Sequence, residues 1–353
     1  MKKNLLFLVA SLIAVSMISC KTAPKPEPIV APKTDISEFL GQWTIDIGNG
    51  GVGNVGWLEV KQEEKYLDGS LLWGGGSVLP VSNIFLEKGN ILVVTMTNNV
   101  VRTRDENNNP LRTQVSTTWL EITKDGDHIK GVRLSPRRTG LGVDSSLFTG
   151  TLLPAVPAAP DLSALKFGEP IQLFNGKDMN GWTLINETQK NGFKVVDGIM
   201  VNDPAQPENG EHISYGNIRT EKTFEDFNLK LEVNVPAGSN SGVYLRGIYE
   251  IQVSDSYKKP LDPHNMGAVY SRITPVVAAE KPAGQWQSLD ITLCDRHASV
   301  ILNGVKIIDN QPIYGPTGGA MSSDVFAPGP IYLQGDHGKV SYRNIVLTPI
   351  VKS

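Results

Sequence analysis

Two short segments in the C-terminal half carry long polar side chains at alternate positions. Tyr244 and Arg246 alternate with apolar residues in the first segment, and Glu250 and Gln252 do so in the second. Because the side chains of a β-strand point alternately to its two faces, we expect these four groups to project together. Charged and amide groups beside an aromatic ring suit sugars, which offer both hydroxyls and a stacking face. A solvated outer sheet face is the alternative interpretation.

The pairing of an acid with an amide limits the chemistry of such a face. A conventional glycosidase needs two carboxyl groups, about 5–10 Å apart, on either side of the bond that it cleaves. Glu250 and Gln252 provide one carboxyl group and one amide. Direct displacement at the anomeric carbon therefore lacks local support, and it stays open only if acids distant in sequence converge on folding.

A further candidate residue is His337, in the turn-like segment Asp336-His337-Gly338. Imidazole titrates near neutral pH and can act as a general base, although a surface histidine in a turn is the alternative. The sequence has no H-E-x-x-H motif, no paired cysteines and no acidic calcium loop, the usual signs of a metal site. We therefore expect no metal and no cofactor. A divalent ion held by His337, Glu250 and substrate oxygens is the alternative.

Composition restricts the class of protein. The chain has 353 residues, of which 40% are hydrophobic and 20% charged, values that exclude a disordered chain and a multi-span membrane protein. The net charge is −3 and no basic run is present, so we expect no nucleic-acid partner. The 35 glycines and 23 prolines favour many turns and hence β-structure.

The first 35 residues are typical of a targeting segment followed by a tether. An apolar stretch in residues 1–19, preceded by two lysines, is too short for a permanent membrane span and suits a signal peptide. The residues that end at Cys20 resemble a bacterial lipobox, so we predict that Cys20 is lipidated. The acyl chains would anchor the protein in the cell envelope, in the periplasm or at the outer membrane, and ordinary secretion is the alternative. Four prolines in residues 20–35 predict an extended tether.

Two β-rich regions follow, separated by a Pro/Ala-rich linker at residues 154–168. Residues 36–153 alternate with period two and predict a small β-barrel or β-sandwich domain of unknown role. Its Gly41-Gln42-Trp43 opening resembles that of lipocalin-type barrels. Residues 169–351 predict a two-sheet jelly roll, in which Asn303-Gly304 indicates a tight hairpin. The expected fold class is all-β.

A glycine pattern in the first region imitates a nucleotide-binding motif. Gly48, Gly50 and Gly53 satisfy G-x-G-x-x-G, but a dinucleotide site needs a helix directly after the glycines. A strand-like run, residues 55–60, follows instead. We therefore interpret the glycines as a flexible hairpin loop.

A set of short segments runs in order along the C-terminal region: residues 174–182, 193–198, 226–227, 240–246, 249–252, 267–270, 284–286, 302–304, 333–338 and 342–345. Together they resemble the 3-keto-disaccharide hydrolase domain family, formerly a domain of unknown function, over residues 169–351. The resemblance implies a concanavalin-like jelly roll that acts on glycosides already oxidised to a ketone at sugar C3. It does not extend to residues 36–153.

Such a substrate implies a distinct route of cleavage. A ketone at C3 acidifies the C2 proton, so a base can remove it, and the glycosidic oxygen then leaves from C1 by β-elimination. The outcome is that of a lyase, or of a hydrolase if water adds back. We expect a glycosidase or lyase on 3-keto-glucosides and 3-keto-disaccharides, supplied by a separate sugar C3-oxidoreductase. The alternative is a non-catalytic carbohydrate-binding envelope lipoprotein.

The family resemblance implies catalytic roles for three of the candidate residues. His337 is predicted to be the base, Arg246 to stabilise the enolate charge, and Glu250 to orient either group or to be the base itself. His264 is interpreted as a loop residue. The Gly-rich segment 314–324 is either a mobile lid or a crossover loop. Substrate binding is assigned to Asn240, Tyr244, Gln252, Tyr270 and Gln334.

Overall fold

A computed structural model of the chain describes residues 35–87 and 90–351. The predicted signal peptide, the lipidation site Cys20 and the tether up to residue 34 lie outside the described residues. In the part of the chain that is described, no helix combines the length and apolar character needed to cross a membrane.

The first part of the described chain forms a nine-stranded antiparallel sheet, preceded by a 3-10 helix at Ser37–Phe39. Its strands are β1 (Gly41–Ile47), β2 (Val55–Gln62), β3 (Leu67–Leu72), β4 (Leu79–Pro80), β5 (Asn83–Glu87), β6 (Ile91–Arg104), β7 (Pro110–Asp125), β8 (His128–Pro136) and β9 (Val143–Leu153). Their order in the sheet is β4-β3-β2-β1-β9-β8-β7-β6-β5. The first and last strands are therefore neighbours, and the sheet is a meander joined through β1 and β9.

This sheet curls around its own apolar core. Trp43, Leu58 and Leu120 are buried there, and each large apolar side chain removed from water contributes roughly 1.5–3 kcal/mol. Ile84 of β5 packs against Gly69 of β3, and a Cβ on Gly69 would lie 2.8 Å from Cδ1 of Ile84. The N-terminal region is therefore all-β, as predicted, and its core is filled by its own side chains.

The remaining strands build a β-sandwich. They are β10 (Ile171–Gln172), β11 (Trp182–Leu184), β12 (Lys190–Asn191), β13 (Phe193–Val196), β14 (Ile199–Asn202), β15 (Tyr215–Gly216), β16 (Ile218–Thr220), β17 (Phe227–Asn234), β18 (Asn240–Leu245), β19 (Tyr249–Ser254), β20 (Trp286–Cys294), β21 (His297–Leu302), β22 (Val305–Pro312), β23 (Tyr332–Leu333) and β24 (Val340–Pro349). The larger sheet has the order β13-β14-β24-β17-β20-β21-β22, with β10 beside β24, and the smaller has the order β11-β16-β23-β18-β19. Strands β12 and β15 form a separate parallel pair.

The core of this sandwich lies between the two sheets. Leu229, Leu231 and Val233 alternate on β17 and are buried, and Val243 and Ile251 of the smaller sheet belong to the same apolar cluster. Alternate apolar residues from two facing sheets are the usual core of a jelly roll. The predicted all-β fold with a C-terminal jelly roll is confirmed.

Two turn predictions are also confirmed. Asn303 and Gly304 join β21 to β22 with φ of 53° and 85°, and two successive positive φ values are what a type I′ hairpin turn needs. The glycines of segment 48–53 lie in the loop between antiparallel strands β1 and β2. No helix follows them, so this loop is not a dinucleotide site.

The curled sheet and the sandwich share an apolar junction. Trp57 and Leu72 of the curled sheet belong to the same buried cluster as the core of the sandwich. The Arg272 guanidinium lies 4.2 Å from the centre of the Trp57 ring, within cation–π range. The Ser323 hydroxyl donates a hydrogen bond of 2.8 Å to Asp46. Loops of the curled sheet are thereby held against one face of the smaller sheet of the sandwich.

Candidate active site

A polar cavity of about 330 Å³ lies on the face of the smaller sheet that is turned away from the sandwich core. Seven of the eight predicted site residues contribute to its wall, and Arg246 does not. The lining residues are Val52, Gly53, Gly75, Gly76, Asn217, Asn240, Tyr244, Glu250, Gln252, Tyr270, Gly318, Gly319, Tyr332, Gln334, Asp336 and His337.

Strand register brings the polar side chains together. Tyr244 of β18 lies directly opposite Glu250 of β19 on one side and opposite Tyr332 of β23 on the other. Alternation sends Val243 and Ile251 into the sandwich core, so the polar residues occupy the other face of the same strands. That face is buried as well, because loops cover it. Buried polar groups cost free energy unless they find partners, which makes this face unusual.

Glu250 is a buried carboxyl group of the cavity with a raised pKa. Its side chain is only 3% exposed, and burial raises the pKa of the carboxyl group to about 8, although the Tyr244 hydrogen bond and the charge of His337 act in the opposite direction. The Tyr244 hydroxyl lies 2.8 Å from Oε2 of Glu250 and 2.6 Å from the carbonyl oxygen of Gly318, and Gln334 Nε2 donates to it at 3.0 Å. At neutral pH the carboxyl group is therefore mostly protonated, and its Oε2 atom is held by the hydrogen bond with Tyr244.

A glycine makes this position of Glu250 feasible. Gly242 lies on β18 where the carboxyl group crosses the strand, and a Cβ there would be 2.2 Å from Oε1 of Glu250. Any larger residue would displace the carboxyl group. The backbone N–H of Glu250 donates to Thr317 Oγ1 at 2.9 Å, which ties β19 to the segment covering the cavity.

His337 and Asp336 form an adjacent pair in the loop between β23 and β24. Nδ1 of His337 lies 2.7 Å from Oδ1 of Asp336. That hydrogen bond raises the pKa of His337 and outweighs burial, which lowers it. Burial opposes ionisation of Asp336, but its bond to His337 and the charge of that ring hold the pKa of Asp336 below its ordinary value. With Nδ1 engaged by the carboxylate, Nε2 is the ring nitrogen left for a substrate.

Two stacked tyrosines form the floor of the cavity. The rings of Tyr244 and Tyr332 lie 4.1 Å apart at an interplanar angle of 10°. Asn217 Nδ2 donates to the Tyr332 hydroxyl at 3.1 Å, and the N–H of Gly335 donates to Asn217 Oδ1 at 2.7 Å. Burial raises the pKa of both tyrosines. Both hydroxyls therefore stay neutral and remain hydrogen-bond donors.

The structure corrects the prediction that Arg246 shares the site face with Tyr244. Strand β18 ends at Leu245, and Arg246 has a φ of 57°, a left-handed conformation that breaks the alternation of a strand. Its guanidinium group donates to the carbonyl oxygens of Val325 and Ala327, at 2.8 Å for the first. Arg246 therefore holds a loop in place and does not reach the cavity.

The Gly-rich segment 314–324 is a packed wall of the cavity. Thr317 and Ala320 are fully buried, and a Cβ on Gly319 would lie 2.7 Å from the Tyr244 hydroxyl. Of the two sequence alternatives, mobile lid and crossover loop, these contacts favour a closely packed crossover loop.

Some of the lining residues were missed by sequence reasoning. Tyr332 lies two positions before Gln334, so strand alternation could have placed both on one face. Asn217 carries no such signal. The contributions of Val52, Gly53 and the glycines at 75–76 come from the curled sheet, and no local pattern reveals how one sheet docks on another.

One cluster of potential metal ligands lies outside the cavity. Within residues 35–87 and 90–351, Asp226, Cys294 and Asp295 form the group of three donors whose ligand atoms lie within 4.8 Å of one another. None of them lines the polar cavity. The cavity itself contains the His337–Asp336 pair, the buried carboxyl group of Glu250 and neutral hydrogen-bonding groups.

Comparison with known proteins identifies the family of the C-terminal region. Residues 169–348 match the model of the 3-keto-alpha-glucoside-1,2-lyase-like domain. A "putative glycosyl hydrolase" of Parabacteroides distasonis ATCC 8503 shares 28% identity over 53% of this chain and 92% of its own, with a TM-score of 0.41. Another protein of that description and organism shares 24% identity over 50% and 92%, with a TM-score of 0.40. None of the curated proteins matches the chain. Because the matched domain spans just over half of its length, this chain belongs to the 3-keto-alpha-glucoside-1,2-lyase-like family.

Proposed function

We propose that this protein cleaves 3-keto-glycosides by removing the proton at C2 and eliminating the substituent at C1. One observation carries the proposal: a histidine–aspartate pair and a buried carboxyl group with a pKa of about 8 line the same polar cavity. Elimination beside a ketone requires a base for the carbon-bound proton and a donor for the developing enolate. These two groups meet both needs at neutral pH.

His337 is the proposed base. With Nδ1 hydrogen-bonded to Asp336, its neutral ring presents the lone pair of Nε2 to the cavity and takes the C2 proton. The imidazolium that forms is stabilised by the Asp336 carboxylate. This is the role that the sequence analysis assigns to His337, and Asp336 is its positioning partner.

Glu250 is the proposed group that stabilises the enolate charge, the role predicted for Arg246. A carboxyl group kept neutral by burial can donate a hydrogen bond to an oxyanion. In the proposed role the Tyr244 hydroxyl donates its one proton to Oε2, which leaves the acidic hydrogen on Oε1, above Gly242. From there it would reach the oxygen at C3 as negative charge develops on it. Glu250 is then an acid, and the alternative role as base falls to His337 alone.

The remaining steps need water and a proton for the departing oxygen. The C1–oxygen bond breaks as the enolate re-forms the C3 ketone, which leaves an unsaturated 3-keto-sugar and the released alcohol. Water added back at C1 and a proton at C2 would give the hydrolase outcome. The proposed mechanism uses no cofactor, and its substrate must come from an enzyme that oxidises sugars at C3. A lipid anchor at Cys20 would place the reaction in the cell envelope.

The test is incubation of the purified protein with 3-keto-glucosides and with their unoxidised parents, with products identified by mass. We expect cleavage of the 3-keto compounds and none of the parents. Equal consumption of both would contradict the proposal and favour a conventional glycosidase. Binding of either sugar with no cleavage would favour the carbohydrate-binding alternative.

A further inference from the structure

A chain of hydrogen-bonding groups crosses the junction beside the cavity. Oδ1 of Asp262 contacts Nδ1 of His264 in a short hydrogen bond. Nε2 of the same ring lies 2.8 Å from Oγ of Ser77, and this oxygen lies 3.4 Å from the hydroxyl of Tyr270. Three of the four groups belong to the jelly roll, whereas Ser77 belongs to the curled N-terminal sheet.

The loop that carries Ser77 is closely packed against the jelly roll. It connects β3 to β4, and the N–H of Val78 in it donates to Ser271 Oγ at 2.9 Å. The carbonyl oxygen of Gly76 would lie 2.1 Å from a Cβ on Gly318, so two glycine backbones meet where side chains would not fit. The Ser77 hydroxyl is therefore held in place from two sides.

The two ends of this chain face different surroundings. Tyr270 lines the polar cavity, and its N–H donates to the carbonyl oxygen of Glu250 at 3.0 Å. The His264 side chain is 39% exposed and lines an open depression that shares Asn240 and Gln252 with the cavity. One end of the chain thus lies at the polar cavity and the other lies at the solvent.

Resting on the proposed function, we infer that Tyr270 is the acid that protonates the departing glycosidic oxygen and that Ser77 relays its replacement proton from His264. When the C1–oxygen bond breaks, the leaving oxygen takes the hydroxyl proton of Tyr270. Ser77 gives its proton to the tyrosinate and accepts one from Nε2 of the protonated His264 ring. Asp262 holds Nδ1 and stabilises the imidazolium, and the neutral ring that is left after the transfer regains a proton from water. The N-terminal sheet then completes the active site, because it supplies the middle member of the relay.

Leaving-group dependence tests this inference. An alkoxide needs a proton in order to leave, whereas a nitrophenolate is stable without one. The substrates are methyl 3-keto-glucoside and 4-nitrophenyl 3-keto-glucoside, and the variants are Tyr270→Phe, Ser77→Ala and Ser77→Thr. Ser323→Ala is the matched control, since Ser323 also donates a hydrogen bond across the junction but does not line the cavity.

Tyr270→Phe is expected to slow cleavage of the methyl substrate by about 10²-fold or more, the scale of general acid catalysis, with the nitrophenyl substrate nearly unaffected. Ser77→Ala should show the same selectivity with a smaller loss, and Ser77→Thr should restore the rate. Equal slowing of both substrates would overturn the inference, because it would indicate a structural defect. Unchanged rates for the methyl substrate would also overturn it. Failure of the wild-type protein to cleave either substrate would instead refute the proposed function and this inference with it.

Discussion

The two β-regions of this protein bury their sheet faces in different ways. The curled N-terminal sheet covers one face with apolar side chains such as Trp43 and Leu120 and exposes much of the other. The smaller sheet of the jelly roll is buried on both faces, with an apolar core on one and Tyr244, Glu250 and Gln252 on the other. Stability alone accounts for the apolar face of the curled sheet, but it does not account for the buried polar residues of the smaller jelly-roll sheet.

An apolar buried face stabilises a fold, whereas a polar buried face costs free energy that hydrogen bonds only partly offset. The raised pKa of Glu250 is one expression of that cost. Groups with perturbed pKa values in a cleft are characteristic of active sites. The comparison therefore predicts that substitutions in the apolar core of the curled sheet change stability and that substitutions on the polar face change turnover.

The largest effect is expected for His337→Ala. Removing a general base typically lowers the rate by about 10²–10⁴-fold, so kcat on a 3-keto-glucoside should fall by that factor while the substrate still binds. His128→Ala is the control, because His128 lies on β8 in the curled sheet. A variant that keeps the wild-type kcat would exclude His337 as the base.

Gly242→Ala should have the next largest effect. The added methyl group would lie 2.2 Å from Oε1 of Glu250, and a displacement of about 1 Å in a catalytic group can cost 10²-fold in rate. Gly168→Ala is the matched control, because its methyl group would meet Val351 at an ordinary 3.5 Å. Steady-state kinetics on one 3-keto-glucoside compare the two. Equal activity of both variants would show that the position of Glu250 is unimportant.

Leu120→Ala probes the other region. Leu120 is fully buried, and truncation of a core leucine destabilises a protein by about 2–5 kcal/mol. Urea unfolding should show that loss, while kcat of the folded variant should be unchanged. A large fall in kcat without loss of stability would remove the contrast between the two regions.

The smallest effect is expected for Glu250→Gln. Glutamine keeps a donor but cannot ionise, so kcat near neutral pH should fall by about tenfold or less, the equivalent of one weakened hydrogen bond. The wild-type rate should rise with pH as His337 loses its proton, and Asp336 raises the pKa of that ring above the ordinary value of 6.5. The rate should then fall as Glu250 ionises near pH 8. The variant should lose only the alkaline fall. Complete inactivity would instead make Glu250 the base.

The same substitution has a consequence for stability. A carboxyl group whose pKa is about 8 in the folded state and 4.5 when unfolded binds more protons when folded between those values. The stability of the wild-type protein that depends on this group is therefore lost as the pH rises from 4.5 to 8. Thermal unfolding should show that Glu250→Gln is stabilising, more so at pH 8 than at pH 5. A pH-independent difference would contradict the raised pKa.

Much of the architecture could be predicted from the sequence, because its signals are local. Alternation placed Glu250 and Gln252 on one face, and Asn303-Gly304 indicated a tight hairpin. The same alternation failed for Arg246, since nothing in an arginine reveals that its backbone is left-handed. The contribution of Val52, Gly53, Gly75 and Gly76 to the cavity wall was also missed, because sheet docking depends on contacts between residues far apart in sequence.

Release of the C2 hydrogen tests the central claim most directly. The substrate is a 3-keto-glucoside that carries deuterium at C2, and the deuterium lost to water is measured alongside the alcohol released, with His337→Ala correcting for spontaneous exchange. Elimination through an enolate predicts loss of one deuterium for every bond cleaved. Cleavage that leaves the deuterium on the sugar would contradict the account.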